Sequence, residues 1–70
     1  MNRQPLDSSN IKSVGFDSNA NIMEVEFKSG DVYRYDNVSG ETHQRLLNHP
    51  SPGAFLHASV KNRFPSTKVK

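Results

Sequence analysis

Apolar and polar residues alternate most cleanly between residues 22 and 36. Met23, Val25 and Phe27 interleave with Glu24, Glu26 and Lys28, a period of two that predicts a half-buried antiparallel strand over 22–28. Beyond Ser29-Gly30 the alternation resumes as Val32-Tyr33-Arg34-Tyr35. An earlier strand is predicted over 11–16, with Val14 and Phe16 on one side. Residues 17–21 (DSNAN) form the turn between the two, because Asp and Asn tolerate left-handed backbone and bond their own main chain.

The loop length of the central hairpin decides where the tyrosines point. A two-residue Ser29-Gly30 loop would set Tyr33 and Tyr35 beside Glu24 and Glu26 on the polar face. A three-residue loop, Lys28-Ser29-Gly30 with Gly30 left-handed, pairs Phe27 with Asp31, Val25 with Tyr33, Glu24 with Arg34 and Met23 with Tyr35. That register matches aromatic to aliphatic and acid to base, each worth about 0.2–1 kcal/mol. A slip of one residue would turn every side chain over, so burial selects the three-residue loop. Both tyrosines then face the core with their hydroxyls near its rim.

After the strands the period changes. Ser39 is placed to cap a helix over 40–48, with His43, Leu46 and Leu47 on its inner face, and His49-Pro50 ends it. A second helix begins with Ser51 as cap and Pro52 in its first turn, carries Phe55, Leu56, Ser59 and Val60 inward, and stops near Asn62. The expectation is an α+β domain: a three-stranded antiparallel meander followed by two short helices on one face. Residues 1–8 are expected to be a flexible lead-in, 9–65 the single domain, and 66–70 a basic tail. The expected core is Val14, Phe16, Met23, Val25, Phe27, Tyr33, Tyr35, Val38, Leu46, Leu47, Phe55, Leu56, Val60 and Phe64.

Composition narrows the function classes. Seventy residues make one domain with a small core, which buries only about 60% of the surface its unfolded chain exposes. The absence of cysteine excludes disulfides, thiolate metal sites and a thiol nucleophile, and fits a cytoplasmic location. No apolar run approaches the ~20 residues that span a bilayer, so no membrane partner is expected. The net charge of +2 conceals a split. Residues 1–41 hold all seven acids against four bases, whereas 42–70 hold Arg45, Lys61, Arg63, Lys68, Lys70 and no acid. Such asymmetry points to an anionic partner, although basic tails are also common on soluble proteins.

The run SSNIKSVGFD, the pattern of Val25, Phe27, Gly30, Tyr33 and Tyr35, and SPGAFLHASVKNRF resemble the KTSC domain, over about residues 8–65. That family is named after the C-terminus of some lysyl-tRNA synthetases and also occurs as small stand-alone bacterial or phage proteins. Its tyrosine-x-tyrosine falls on Tyr33 and Tyr35, and its S-x-G-x-F pattern on Ser51, Gly53 and Phe55. Val60 and Phe64 occupy the aliphatic and aromatic positions that follow. This chain departs from the family at His43, where an aromatic is more usual, and at His49, where a small residue is. The resemblance implies the fold, no catalytic residue, and RNA as a conjectured ligand.

Three sets of residues carry candidate chemistry. Tyr33-Arg34-Tyr35 has the makings of a base-stacking platform, but the favoured register gives the rings to the core and only Arg34 to a ligand or to Glu24. Lys61, Arg63 and Lys68, with Arg34, form the expected nucleic-acid-binding set; Lys61 and Arg63 would equally complement a helix C-terminus. The free N–H groups at Gly53 and Ala54 favour an anion, yet Pro52 and the Ser51 cap make ordinary capping the better reading. His43, His49 and His57 match no metal or acid–base spacing, and no nucleophile–base pair or phosphate loop is present. The expectation is a non-catalytic binding module without metal or cofactor, its partner RNA, tRNA or another polyanion. The competing expectation is a protein-interaction module or homo-oligomerising small regulator of bacterial or phage type, without a nucleic-acid ligand, that pairs through an exposed strand edge.

Overall fold

The computed structural model describes residues 3–70. Strands β1 (Arg3–Pro5), β2 (Ile11–Asp17), β3 (Ile22–Phe27) and β4 (Val32–Tyr35) are followed by helix α1 (Gly40–Asn48). Helix α2 (Pro52–Phe55) continues as a π-helical stretch, Leu56–Val60, before a last strand, β5 (Ser66–Lys68). The five strands form one antiparallel sheet in the order β1-β2-β3-β4-β5. No helix among the described residues is long and apolar enough to cross a membrane.

The expected three-stranded meander is therefore the centre of a larger sheet. The order is β-β-β-β-α-α-β rather than β-β-β-α-α. Both added strands lie where no strand was expected: residues 3–5 pair with β2, and 66–68 pair with β4. The pairing continues past β5, where the Val32 N–H donates to the Lys70 carbonyl at 2.8 Å and the Val69 N–H to that of Val32 at 2.7 Å. Each added strand has three residues, all exposed, so it carries no alternation to read. Such a segment forms because the neighbouring strand offers N–H and C=O groups that need partners.

The central hairpin has the favoured register, with Met23 opposite Tyr35, Glu24 opposite Arg34 and Val25 opposite Tyr33. The Phe27 N–H donates to the Asp31 carbonyl at 2.8 Å, the Gly30 N–H to the Phe27 carbonyl at 3.0 Å, and Gly30 has φ +102°. The 17–21 turn also follows expectation. The Asp17 carboxylate accepts from the Asn19 and Ala20 N–H groups, and Asn21 is left-handed at φ 56°.

One feature of β2 escapes a simple period of two. Ile11 pairs with Phe27, whereas Ser13 pairs with Glu26, so Lys12 is an extra residue in a bulge. The bulge puts Ile11, three positions before Val14, on the same face as Val14. Ile11 is fully buried, and its absence from the expected core is a correction. Together with Val14, Met23, Val25, Tyr35, Val38, Leu46, Leu56 and Val60 it forms one cluster between sheet and helices. Phe16, Phe27, Tyr33, Phe55 and Phe64 pack on its margin, half-buried.

The other sheet face carries the buried Val32 among polar, cross-linked side chains. Arg3 donates to Glu24 at 2.7 Å across the strand between them, where Gly15 is the cross-strand partner of both. The Ser13 hydroxyl donates to Glu26 at 2.9 Å beside it.

Both helices begin close to where the sequence places them. Ser39 accepts from the Thr42 N–H at 3.2 Å, capping α1. The expected Ser51 cap differs: its side chain makes no capping bond, and its own N–H donates to His49 Nδ1 at 3.0 Å. An imidazole two residues back has taken over the ordering of that junction. The π-helical stretch is closed by the Lys61 N–H donating to the Leu56 carbonyl at 2.8 Å, a five-residue step.

Candidate functional site

Tyr35 is 1% exposed and belongs to the core. Burial, and secondarily the neighbouring Tyr33, hold its hydroxyl above the ordinary tyrosine pKa of 10.0, so it stays protonated. Tyr33 is half-buried and meets Phe27 edge-on, with ring centroids 5.8 Å apart. Neither ring is free to act as an open stacking platform. Both instead line a hollow of about 220 Å³ together with Phe27, Asp31, Lys61 and Ser66.

The expected cationic set does not occupy a single surface. Lys61, at the end of the second helix, stands on the rim of this hollow. Lys68, opposite Tyr33 on β5, brings its ammonium to 3.5 Å from Asp31, another residue of the same rim. Arg63 is exposed in the turn that follows the helix. Arg34 alternates to the opposite sheet face, between Glu24 and Thr67, with Asp36 at 3.6 Å. The structure thus brings Lys61 and Lys68 together and sets Arg34 apart from them.

A second, larger hollow of about 290 Å³ adjoins the first, sharing Phe27 and Lys61 as walls. It is bounded by three segments distant in sequence: the loop at Ser9 and Asn10, the hairpin loop at Lys28 and Ser29, and the second helix at Gly53, Leu56, His57 and Lys61. The loops are tied to each other, because the Lys28 N–H donates to the Asn10 carbonyl at 2.8 Å. Ser8 Oγ accepts from the Asn10 and Ile11 N–H groups, both at 3.3 Å, which bends that loop against the helix. Gly53 is its seat: a Cβ there would lie 3.6 Å from both Ser8 Oγ and Asn10 Nδ2. No carboxylate lines this hollow among the described residues.

Two residues of that hollow, Lys28 and His57, lie outside the expected binding set. Lys28 is visible in the sequence only as the first residue of a hairpin loop. Nothing local says that this loop meets a helix some thirty residues later. Ser51 stands at the helix junction, Gly53 meets the 8–10 loop, and Phe55 is a half-buried ring 5.3 Å from that of His49.

The three histidines have separate surroundings. His43 stacks on Phe16, with centroids 4.8 Å apart and planes 12° apart. Burial lowers its pKa below the usual 6.5, so it acts as a neutral ring. His49 orders the helix junction, and His57 faces the larger hollow. No group of three metal-ligating side chains occurs among the described residues.

Comparison with known proteins returns a consistent answer. The KTSC domain model matches residues 7–64. An uncharacterized protein of Stutzerimonas stutzeri is 47% identical over 61 residues, which cover 87% of this chain and 86% of that protein. A lysine–tRNA ligase of Trichormus variabilis is 34% identical over 58 residues, 83% of this chain but 10% of the ligase. The crystal structure of a KTSC domain protein from Yersinia pestis matches with a TM-score of 0.94 at 32% identity, covering 99% of this chain and 97% of that one.

Proposed function

This chain belongs to the KTSC domain family, and from that premise we propose that it is a non-catalytic module that binds RNA through its cationic C-terminal part. The observation that carries the reading is the charge split: every acid lies at or before Glu41 and five bases follow it. Of those five, Arg45 is held by Glu41 and Lys68 leans on Asp31. Lys61, Arg63 and Lys70 have no ion-pair partner among the described residues. The matching segment in a protein named lysine–tRNA ligase supports a tRNA or RNA context. A cytoplasmic location accords with that context.

Lys61, Arg63 and Lys68 are the phosphate contacts of this reading. Arg34, on the other sheet face and next to two carboxylates, does not extend the same track. Three contacts to single-stranded RNA predict an affinity that falls with salt at a log–log slope of about −2. Fluorescence anisotropy with labelled single-stranded RNA and tRNA at two salt concentrations tests this. Absence of binding at low salt, or binding indifferent to salt, sinks the proposal.

The fully exposed β5 edge supports a second reading, pairing with another protein or a second copy of this chain. Lys68 in that edge opposes flush pairing. Light scattering and an affinity pull-down separate the two: a strict monomer that binds RNA and recovers no protein partner removes the edge-pairing reading.

A further inference from the structure

We propose that the larger hollow is a nucleotide site, which seats one phosphate-bearing nucleoside unit. The identity of the polymer rests on the proposed RNA reading, but the site itself rests on its own geometry. At about 290 Å³ the hollow stands at the lower end of the roughly 300–1,000 Å³ range of ligand pockets. It is matched to one nucleotide rather than to a duplex or a folded partner.

Its charge selects an anion. Lys28 comes from the hairpin loop and Lys61 from the helix end, and neither has an ion-pair partner among the described residues. The acids nearest Lys28 in sequence are already engaged, Glu26 by Ser13 and Arg3 and Asp31 by Lys68. His57 lies four residues before Lys61 and lines the same hollow, so its ring is a further hydrogen-bonding group there. Two lysines and an imidazole lining one hollow from the hairpin loop and the second helix suit phosphate oxygens.

The remaining walls fit the rest of a nucleotide. Phe27 and Leu56 supply apolar surface for a base or sugar face. Ser9, Asn10 and Ser29 supply hydroxyl and amide groups for sugar hydroxyls and base edges. Both loops are held in advance, Asn10 by Ser8 and Lys28 by Asn10, so little ordering is left to binding. The shared walls Phe27 and Lys61 then define a direction: a strand leaving the site crosses Lys61 toward Tyr33 and Lys68.

Amide NMR of the whole chain tests the site, with adenosine 5′-monophosphate, adenosine, inorganic phosphate, a single-stranded heptanucleotide and a poly-glutamate peptide added separately at low salt. The monophosphate is expected to move Asn10, Lys28, Ser29 and His57 amides, more than adenosine or phosphate does. Lys28→Gln and Lys61→Gln, both at exposed positions, are each expected to weaken it on the order of tenfold, while Arg34→Gln leaves it unchanged. Unaltered shifts elsewhere verify that the variants fold. RNA that moves only residues 61–70, with the monophosphate moving none, overturns the site and leaves RNA binding standing. Monophosphate shifts without RNA binding support the site and remove the RNA reading. Silence from both overturns both. Equal shifts from poly-glutamate overturn the nucleotide assignment in favour of an acidic peptide.

Discussion

The central hairpin and the two sheet edges are held by different physics. In β3 and β4 the side chains specify the structure: Met23, Val25 and Tyr35 are buried on one face while Glu24 and Arg34 meet on the other. A shift of one residue would expose the first set and bury the second, so only one register survives. β1 and β5 bury nothing and are held by backbone bonds and by surface ion pairs such as Arg3–Glu24. The difference concentrates stability in the middle of the sheet. It leaves the margins free to carry charge, as Lys68 does on β5.

The sharpest way to break this contrast is Tyr35→Ala, which removes a large buried side chain from the hairpin. A loss of about 3–5 kcal/mol is expected in urea denaturation, enough to unfold much of so small a domain. Tyr35→Phe should fold and retain most of the stability, which separates ring burial from the hydroxyl. Removing residues 66–70 should cost less, about 1–3 kcal/mol, because it deletes a few backbone bonds and no core. Hydrogen exchange should then speed up at Val32, whose N–H bonds Lys70.

Gly30→Ala tests the loop that sets the register. At φ +102° a Cβ is strained although the space around it is open, so a cost of about 1–2 kcal/mol with unchanged strand pairing is expected. A shifted pairing in the amide spectrum would show that the loop, rather than burial, dictates the register. Arg3→Ala should be milder, about 0.2–1 kcal/mol, since its ion pair with Glu24 is partly exposed and screened by salt. A larger loss would mean that the β1 edge contributes to the core's integrity.

The smallest effect is expected from pH. Burial lowers the His43 pKa in the folded chain, so the unfolded chain binds the proton more readily. The contribution of this one group to stability is therefore fully present above pH 6.5, declines as pH falls below it, and is gone below the folded value. His43→Phe keeps the ring against Phe16 and removes the titration. Thermal midpoints measured from pH 7.5 to 5 should fall for the natural chain by more than for this variant.

Much of this fold is legible in particular residues. Met23 to Tyr35 announce the hairpin and its three-residue loop, Ser39 announces α1, and Pro52 the second helix. Ile11 was hidden because a bulge at Lys12 breaks the alternation that would have marked it as core. Ser51 has the residue type and place of a side-chain cap, and nothing in its own neighbourhood says that His49 will accept its N–H instead. The candidate site was legible by halves. Lys61 and Lys68 stand out as cations in an acid-free segment, whereas Lys28 and His57 acquire meaning only beside the second helix and the 8–10 loop.

The sequence by itself determined the secondary elements of the centre, the hairpin register, the α+β class and the KTSC resemblance. These follow from local periodicity and from which side chains water excludes, and both are written in neighbouring positions. Only the tertiary structure decided that residues 3–5 and 66–68 are strands, that Arg34 is parted from Lys61, and that three distant segments close a cationic hollow. Each of these depends on which backbone groups and which loops meet in space. Pairing of that kind leaves no periodic mark on the residues that take part.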